Sequence, residues 1–187
     1  MSRMYGTAKT SSWTIYPPVI NYGEAEMESF ESYYARWPKS LASIPEKVVQ
    51  DWIYRHWPLF NQYWSALRPH TWSYTLAQLS SDEIVTIDHV STWMQELDAE
   101  GIEYQDGGLR SETPLAEYMH SNGTFPMPII VAQNAGHVAH PRGGGELMKT
   151  PLQLIEGHSR LACIRNMIQS EHPNLQSHHD VWLVTIP

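Results

Sequence analysis

From Leu152 to Ser170 the chain reads LQLIEGHSRLACIRNMIQS. An apolar run of strand length meets a glycine, and a segment of helical spacing starts at once. A second β-rich run, MPIIVAQ, occupies Met127 to Gln133 beside Pro126 and Pro128, and a third, VWLVTI, occupies Val181 to Ile186. Strands alternating with helices constrain the chain to an α/β or α+β domain.

The 187 residues fit one domain, or one domain with an embellishment, and suffice for a sizeable core. Eight Trp, ten Tyr and thirteen Pro predict an aromatic core with many stops. Residues 1–23 read as an irregular arm punctuated by Pro17, Pro18 and Gly23. Glu24 to Trp37 reads as a helix stopped by Pro38, and Pro45 with Glu46 starts another that carries Val48, Val49, Trp52, Ile53 and His56. Pro58 opens a further segment, so residues 24–67 are expected as an aromatic α-helical layer.

Downstream, Trp72 to Leu76 alternates as a strand, and Ser80 with Glu83 forms a capping box. Val90, Trp93, Met94 and Leu97 share a helical face that Gly101 is expected to end, with a brief strand at Ile102 to Tyr104. Thr113-Pro114 caps a short helix closed by Asn122-Gly123.

Charge narrows the function classes. Twelve Lys and Arg against twenty Asp and Glu give a net charge of −8, which argues against a broad electrostatic grip on nucleic acid. Arg142, Lys149, Arg160 and Arg165 nevertheless cluster in sequence, and a local cationic pocket suits a nucleotide better than a long duplex. No apolar run reaches the roughly 18 residues of a membrane span. The first residues, MSRMYGTAKTSSW, lack the apolar stretch of a signal peptide, so a cytoplasmic protein is expected. The single Cys163 rules out an intramolecular disulfide.

The joint at Gly157 carries the chemistry. A helix starting there presents unpaired N–H groups and a positive dipole end. Gly157 permits a sharp bend and close approach of a ligand, Ser159 adds a hydroxyl, and Arg160 can fork onto phosphate oxygens. These parts form an anion site, with Glu156 and His158 placed to position a metal, a water or a proton. A plainer account stands beside this one: Gly157 turns the chain, Ser159 caps the helix and Arg160 pairs with a carboxylate.

Pro128-Ile129-Ile130-Val131 and Gly157-His158-Ser159-Arg160, with Ala162 just beyond, resemble the two boxes of the ParB/sulfiredoxin superfamily. The family pattern is a Pro-Ile-Leu/Ile-Val strand, then a strand ending in Gly-x-x-Arg before a helix with small residues. The resemblance implies an α+β fold: a mixed small sheet with flanking helices over residues 71–187. Residues 1–70 add an arm and an aromatic-rich helical layer, packed with it as one compact unit.

Departures sort the members. A sulfiredoxin needs Cys after the glycine, where this chain has His158, and Cys163 falls inside the helix. ParB proteins continue into a helix-turn-helix domain, whereas this chain stops at Pro187, and the doubled arginine associated with CTP is absent. Similarity is greater to the stand-alone fertility-inhibition branch of the superfamily, the oncogenic suppression type. That similarity implies ATP hydrolysis and DNase action on transferred DNA without sequence specificity. It also implies partners in conjugation or type IV secretion machinery, and a cytoplasmic location or a peripheral one at the inner face of the inner membrane.

For such an activity the candidate catalytic residues, read from the joint itself, are Glu156, His158 and Arg160. Nucleotide would be held by Gly157, His158, Ser159 and Arg160, with Arg142 and Gly144 of the glycine-rich loop acting as a flap. Mg²⁺ or another divalent cation would sit on Glu156 and Glu146, since Mg²⁺ retains waters and bridges phosphates. Two alternatives remain: a non-enzymatic inhibitor, or a nucleotide-gated adaptor docking on a secretion or coupling protein through the aromatic layer. His137, His140 and His158 could ligate a transition metal, but solvated loop histidines are the favoured account of the first two. His178-His179-Asp180 reads equally as a turn before the last strand.

Overall fold

Ile129, Ile130, Val131 and Ala132 point alternately into two separate apolar cores, and this alternation explains why their strand reads as an unbroken apolar run. In the computed structural model, which describes residues 15–187, this strand is the centre of a five-stranded mixed sheet. The strands are β1 (Ser73–Ser80), β2 (Ile87–Asp88), β3 (Ile129–Gln133), β4 (Leu152–Glu156) and β5 (His178–Thr185), in the order β1-β5-β3-β4-β2. The β1–β5 and β3–β4 pairs are antiparallel, while β3–β5 and β2–β4 are parallel. The fold is thus mixed α+β, with a small open sheet flanked by helices.

One face of the sheet, through Ile130, Ala132, Ile155 and Val184, packs on the N-terminal helical layer. That layer contains α1 (Phe30–Ala35), α2 (Glu46–Val48) and α3 (Trp57–Leu59). α2 and α3 each continue into wide π-helical turns, Val49–Tyr54 and Phe60–Trp64. Trp52 is its hub: the Phe60 ring meets it edge-on at 5.1 Å, Trp64 at 5.6 Å and Trp72 at 6.1 Å. Buried aromatic pairs of this kind add to the area they remove from water. The sequence-predicted arm is described only from residue 15, so its first fourteen residues lie outside the described chain.

The other face, through Ile129, Val131, Leu154 and Val181, is covered by α5 (Trp93–Ile102), α6 (Pro114–Asn122) and α7 (His158–Gln169), with α4 (Ser81–Val85) at one end. The capping box forms as expected: Glu83 N donates to Ser80 Oγ, and Ser80 N donates to Glu83 Oε2. Thr113 caps α6, and Gly123 ends it at a positive φ.

Several expectations are corrected. α1 begins at Phe30 rather than Glu24, because the Glu28 carboxylate is drawn to the Ile20 amide and to Arg36, closing off a run of turns over residues 20–26. Gly101 does not end α5. It lies inside the helix, where a Cβ would stand 2.6 Å from the Ala162 carbonyl oxygen of α7. Ile102 to Tyr104 consequently belongs to the helix end and the turn after it, not to a strand. β1 runs on to Ser80, paired along its whole length with β5, and His178-His179-Asp180 lies within β5 instead of a turn. His179 is a satisfied core side chain between Ser81 and Thr124. Among the described residues no helix is long and apolar enough to cross a membrane.

Replacing a helix-interior glycine with alanine ordinarily gains up to about 1 kcal/mol. At Gly101 the sign is expected to reverse. Gly101→Ala should destabilise by about 1–3 kcal/mol through overpacking against α7, read as a lower urea midpoint. An unchanged or higher midpoint would contradict the close approach of α5 and α7.

Candidate functional site

β4 ends at Glu156, Gly157 turns at φ +107°, and α7 starts at His158. A Cβ on Gly157 would stand 2.4 Å from Ile129 Cγ2, so both the backbone conformation and the packing of β3 require glycine. The first intrahelical bond runs from Leu161 N to Gly157 O, and no side chain among the described residues caps the helix. The amides of His158, Ser159 and Arg160 therefore precede the intrahelical ladder.

A cleft of about 790 Å³ opens at this joint. The helical layer contributes Trp52, Arg55 and His56 to its walls, α5 contributes Trp93, and the loop between β3 and β4 contributes His140 and Arg142.

Arg160 is 7% exposed and fully engaged within the protein. One terminal nitrogen donates to the carbonyls of Met127 (2.9 Å) and Pro128 (3.0 Å), and the other donates to Glu156 Oε1 at 3.2 Å. The guanidinium ties the entry of β3 to the end of β4 and does not present a free fork to the cleft. Ser159 Oγ donates to Glu100 Oε1 at 2.8 Å, and Arg110 pairs with the same carboxylate. Glu156 also faces His56 Nε2 at 3.4 Å. Burial opposes its ionisation, but the His56 hydrogen bond and the charges of His56, Arg160 and His158 prevail and hold the carboxyl below its usual value.

The structure does not bring Glu146 to Glu156. Glu146 accepts from the Ser91 amide and hydroxyl, pairs with Lys149, and lies outside the cleft walls. Among the described residues no group of three or more His, Cys, Asp or Glu is arranged to hold a metal ion. The donor set therefore does not fit a protein-held divalent cation on Glu156 and Glu146. His137 is exposed and apart from the site.

The glycine-rich loop is a tight hairpin rather than an open flap. His140 N donates to Glu146 O, Met148 N donates to Val138 O, and Ala139 bridges Leu147. Gly144 and Gly145 take positive φ at its tip, and Gly144 does not line the cleft. Arg142 is pinned over the Trp93 ring at 4.3 Å and beside Tyr63 at 5.3 Å. Neither Arg142 nor Arg55 has a carboxylate partner among the described residues.

Three histidines meet here: His89 lies 4.8 Å from His140 and 5.3 Å from His158, ring centre to ring centre. His89 also stacks on Trp93 at 4.4 Å. His89 Nδ1 faces the Val90 carbonyl at 3.4 Å and so carries its proton there, leaving Nε2 as an acceptor for His158 Nε2–H at 3.3 Å. The lone pair of His158 is then on Nδ1. Burial pushes His158 below its ordinary value, aided by Arg142 and His56 against Glu156 and Glu100. Burial and then the neighbouring histidines bring His89 down to about 3, and burial with Arg142 and His158 brings His140 to about 4.

Of the residues expected from the sequence, Arg142, Glu156, Gly157, His158, Ser159 and Arg160 line one cleft, and Arg55, His56, His89 and Trp93 join them there without having been expected. His89 stands in IDHVSTW, which carries no motif, so the sequence held no signal for it. Searches of the chain against family models, curated proteins and solved structures find no match.

The depressed histidines make stability pH-dependent. Unfolded histidine titrates near 6.5, so between there and the folded values the unfolded chain binds more protons. Stability is complete above that range and falls on acidification. Urea unfolding at pH 5.5 against pH 7.5 should show a loss of about 1 kcal/mol each for His89 and His140. His89→Phe should lessen the loss, and a wild-type stability independent of pH would refute the assignment.

Proposed function

We propose that the cleft binds ATP, with the phosphates at the open amides of α7, and that the protein hydrolyses it. The observation that carries this reading is the pair of cations Arg55 and Arg142, neither in an ion pair among the described residues, lining the cleft at an uncapped helix start in a chain of net charge −8. The resemblance of Pro128–Val131 and Gly157–Arg160 to the ParB/sulfiredoxin boxes, and the mixed open sheet that joins them, support the same reading.

In this proposal Gly157 lets the phosphates approach the backbone, and Arg142 and Arg55 supply the charge. Arg160 is a positioning residue that fixes Glu156 and the Met127–Pro128 segment around the site. His158 Nδ1, oriented by His89, accepts the proton of the attacking water. Glu156, ionised beside it, stabilises the imidazolium that results. Mg²⁺ enters with ATP as part of the substrate.

Our wider proposal is a plasmid fertility-inhibition factor of the oncogenic suppression type. It would also cleave transferred DNA without sequence specificity, blocking conjugative or T-DNA transfer through a type IV secretion system from the cytoplasm. The acidic charge favours the alternatives that do not cut DNA, a non-enzymatic inhibitor or a nucleotide-gated adaptor that docks on a secretion or coupling protein.

ATP binding and turnover, with plasmid cleavage measured in Mg²⁺ and in EDTA, separate these readings. The enzyme reading expects metal-dependent cleavage and ATPase activity, both lost in His158→Gln. Binding without turnover in the wild type would establish the adaptor. Arg142→Ala should raise the ATP dissociation constant about tenfold or more, since a charge-assisted contact is removed. ATP binding unaffected by both Arg142→Ala and Arg55→Ala would remove the basis for the phosphate site.

A further inference from the structure

His140 is 3% exposed, yet its ring does not satisfy its own hydrogen-bonding capacity. The Arg142 amide donates to Nδ1 at 3.2 Å, so the neutral ring must carry its proton on Nε2. That Nε2 is buried with no hydrogen-bond partner among the described residues. Trp64, perpendicular at 5.3 Å, offers it at most a weak contact through the ring face. Two other buried side-chain atoms share this condition among the described residues, Glu28 Oε2 and Asn61 Oδ1, but both are acceptors outside the cleft. His140 alone combines an orphaned donor with a place in the cleft wall.

Its surroundings select what could accept that proton. The His140 ring neighbours His89, which touches His158 at the start of α7, and Arg142 is held two residues away over Trp93. The amides at the start of α7, the Arg142 guanidinium and the orphaned N–H are donors of residues that line the same cleft. Carboxylates also line this cleft, but Glu96 is engaged by Thr92, Glu100 by Arg110 and Ser159, and Glu156 by His56 and Arg160, which leaves the donors as the groups still to be satisfied. An anionic oxygen satisfies the set.

We propose that His140 Nε2–H is a ligand contact, donating to an oxygen of the polyphosphate bound at the start of α7 beside Arg142. The inference rests on the polyphosphate reading above and adds a recognition residue to it. His140 acts as a neutral donor: with its pKa brought down to about 4 by burial, Arg142 and His158, it keeps a single proton at neutral pH. It therefore recognises acceptor geometry, while Arg142 and Arg55 recognise charge.

The test compares ATP dissociation constants by calorimetry at neutral pH for the wild type, His140→Phe and His140→Gln. Phe keeps the ring's bulk without the donor, whereas the Gln amide can place an N–H near the Nε2 position. The expected result is a loss of about tenfold or more in His140→Phe with most of the affinity kept in His140→Gln. A wild type that fails to bind ATP overturns both this inference and the phosphate reading. A wild type that binds while His140→Phe binds equally well overturns this inference alone. If the variants fail to fold, or both lose affinity, the ring signals of wild-type His140 decide by nitrogen-detected magnetic resonance. A displaced Nε2–H resonance on adding pyrophosphate supports the contact, and an unmoved one overturns it.

Discussion

The buried Arg160–Glu156 pair is the contact on which the rest of the site depends. Its two residues lie on either side of the glycine turn, and the guanidinium reaches the Met127 and Pro128 carbonyls across the sheet. One side chain thus fixes the start of β3, the end of β4 and the first turn of α7. A charge buried in this way is tolerable because both terminal nitrogens donate to acceptors, and removing one partner would strand the other. Glycine at 157 is part of the same device, since any Cβ there would collide with Ile129 and crowd the guanidinium.

Using this arginine internally shifts the cationic character of the cleft to other elements. Arg55 comes from the helical layer and Arg142 from the hairpin between β3 and β4. The two sheet faces therefore cooperate: the strands place the helix start, and the layer and hairpin bring charge up to it. The three histidines between them are held neutral by burial, which leaves hydrogen-bond donors and acceptors instead of further positive charge.

How much of this was legible in the sequence follows from the range of the forces involved. β3, β4, β5 and α7 were readable because apolar runs and a glycine report local backbone preference. Gly101 was misread as a helix end because its small size serves the contact with Ala162, a partner in another helix. The helix expected from Glu24 starts late because Glu28 bonds to residues on both sides of it. Arg160 looked like a phosphate fork, but the carbonyls that hold it lie 32 and 33 positions away and carry no side-chain signature. His140 was seen in a loop where solvation is the usual expectation, and only the packing of Trp64 and His89 makes it a core residue.

The wide turns of Val49–Tyr54 have one consequence for the far wall of the cleft. A π-helical turn holds one residue more than an α-turn, and each added residue rotates everything downstream by about 100° around the axis. Arg55 and His56 immediately follow this stretch. Rewound to ordinary pitch, the same sequence would swing both side chains onto a different azimuth while Trp52 kept its place in the core. The charge facing α7 is thus set by the winding of a helix on the opposite layer, and the phase of that coil is as much a part of the pocket as any group lining it.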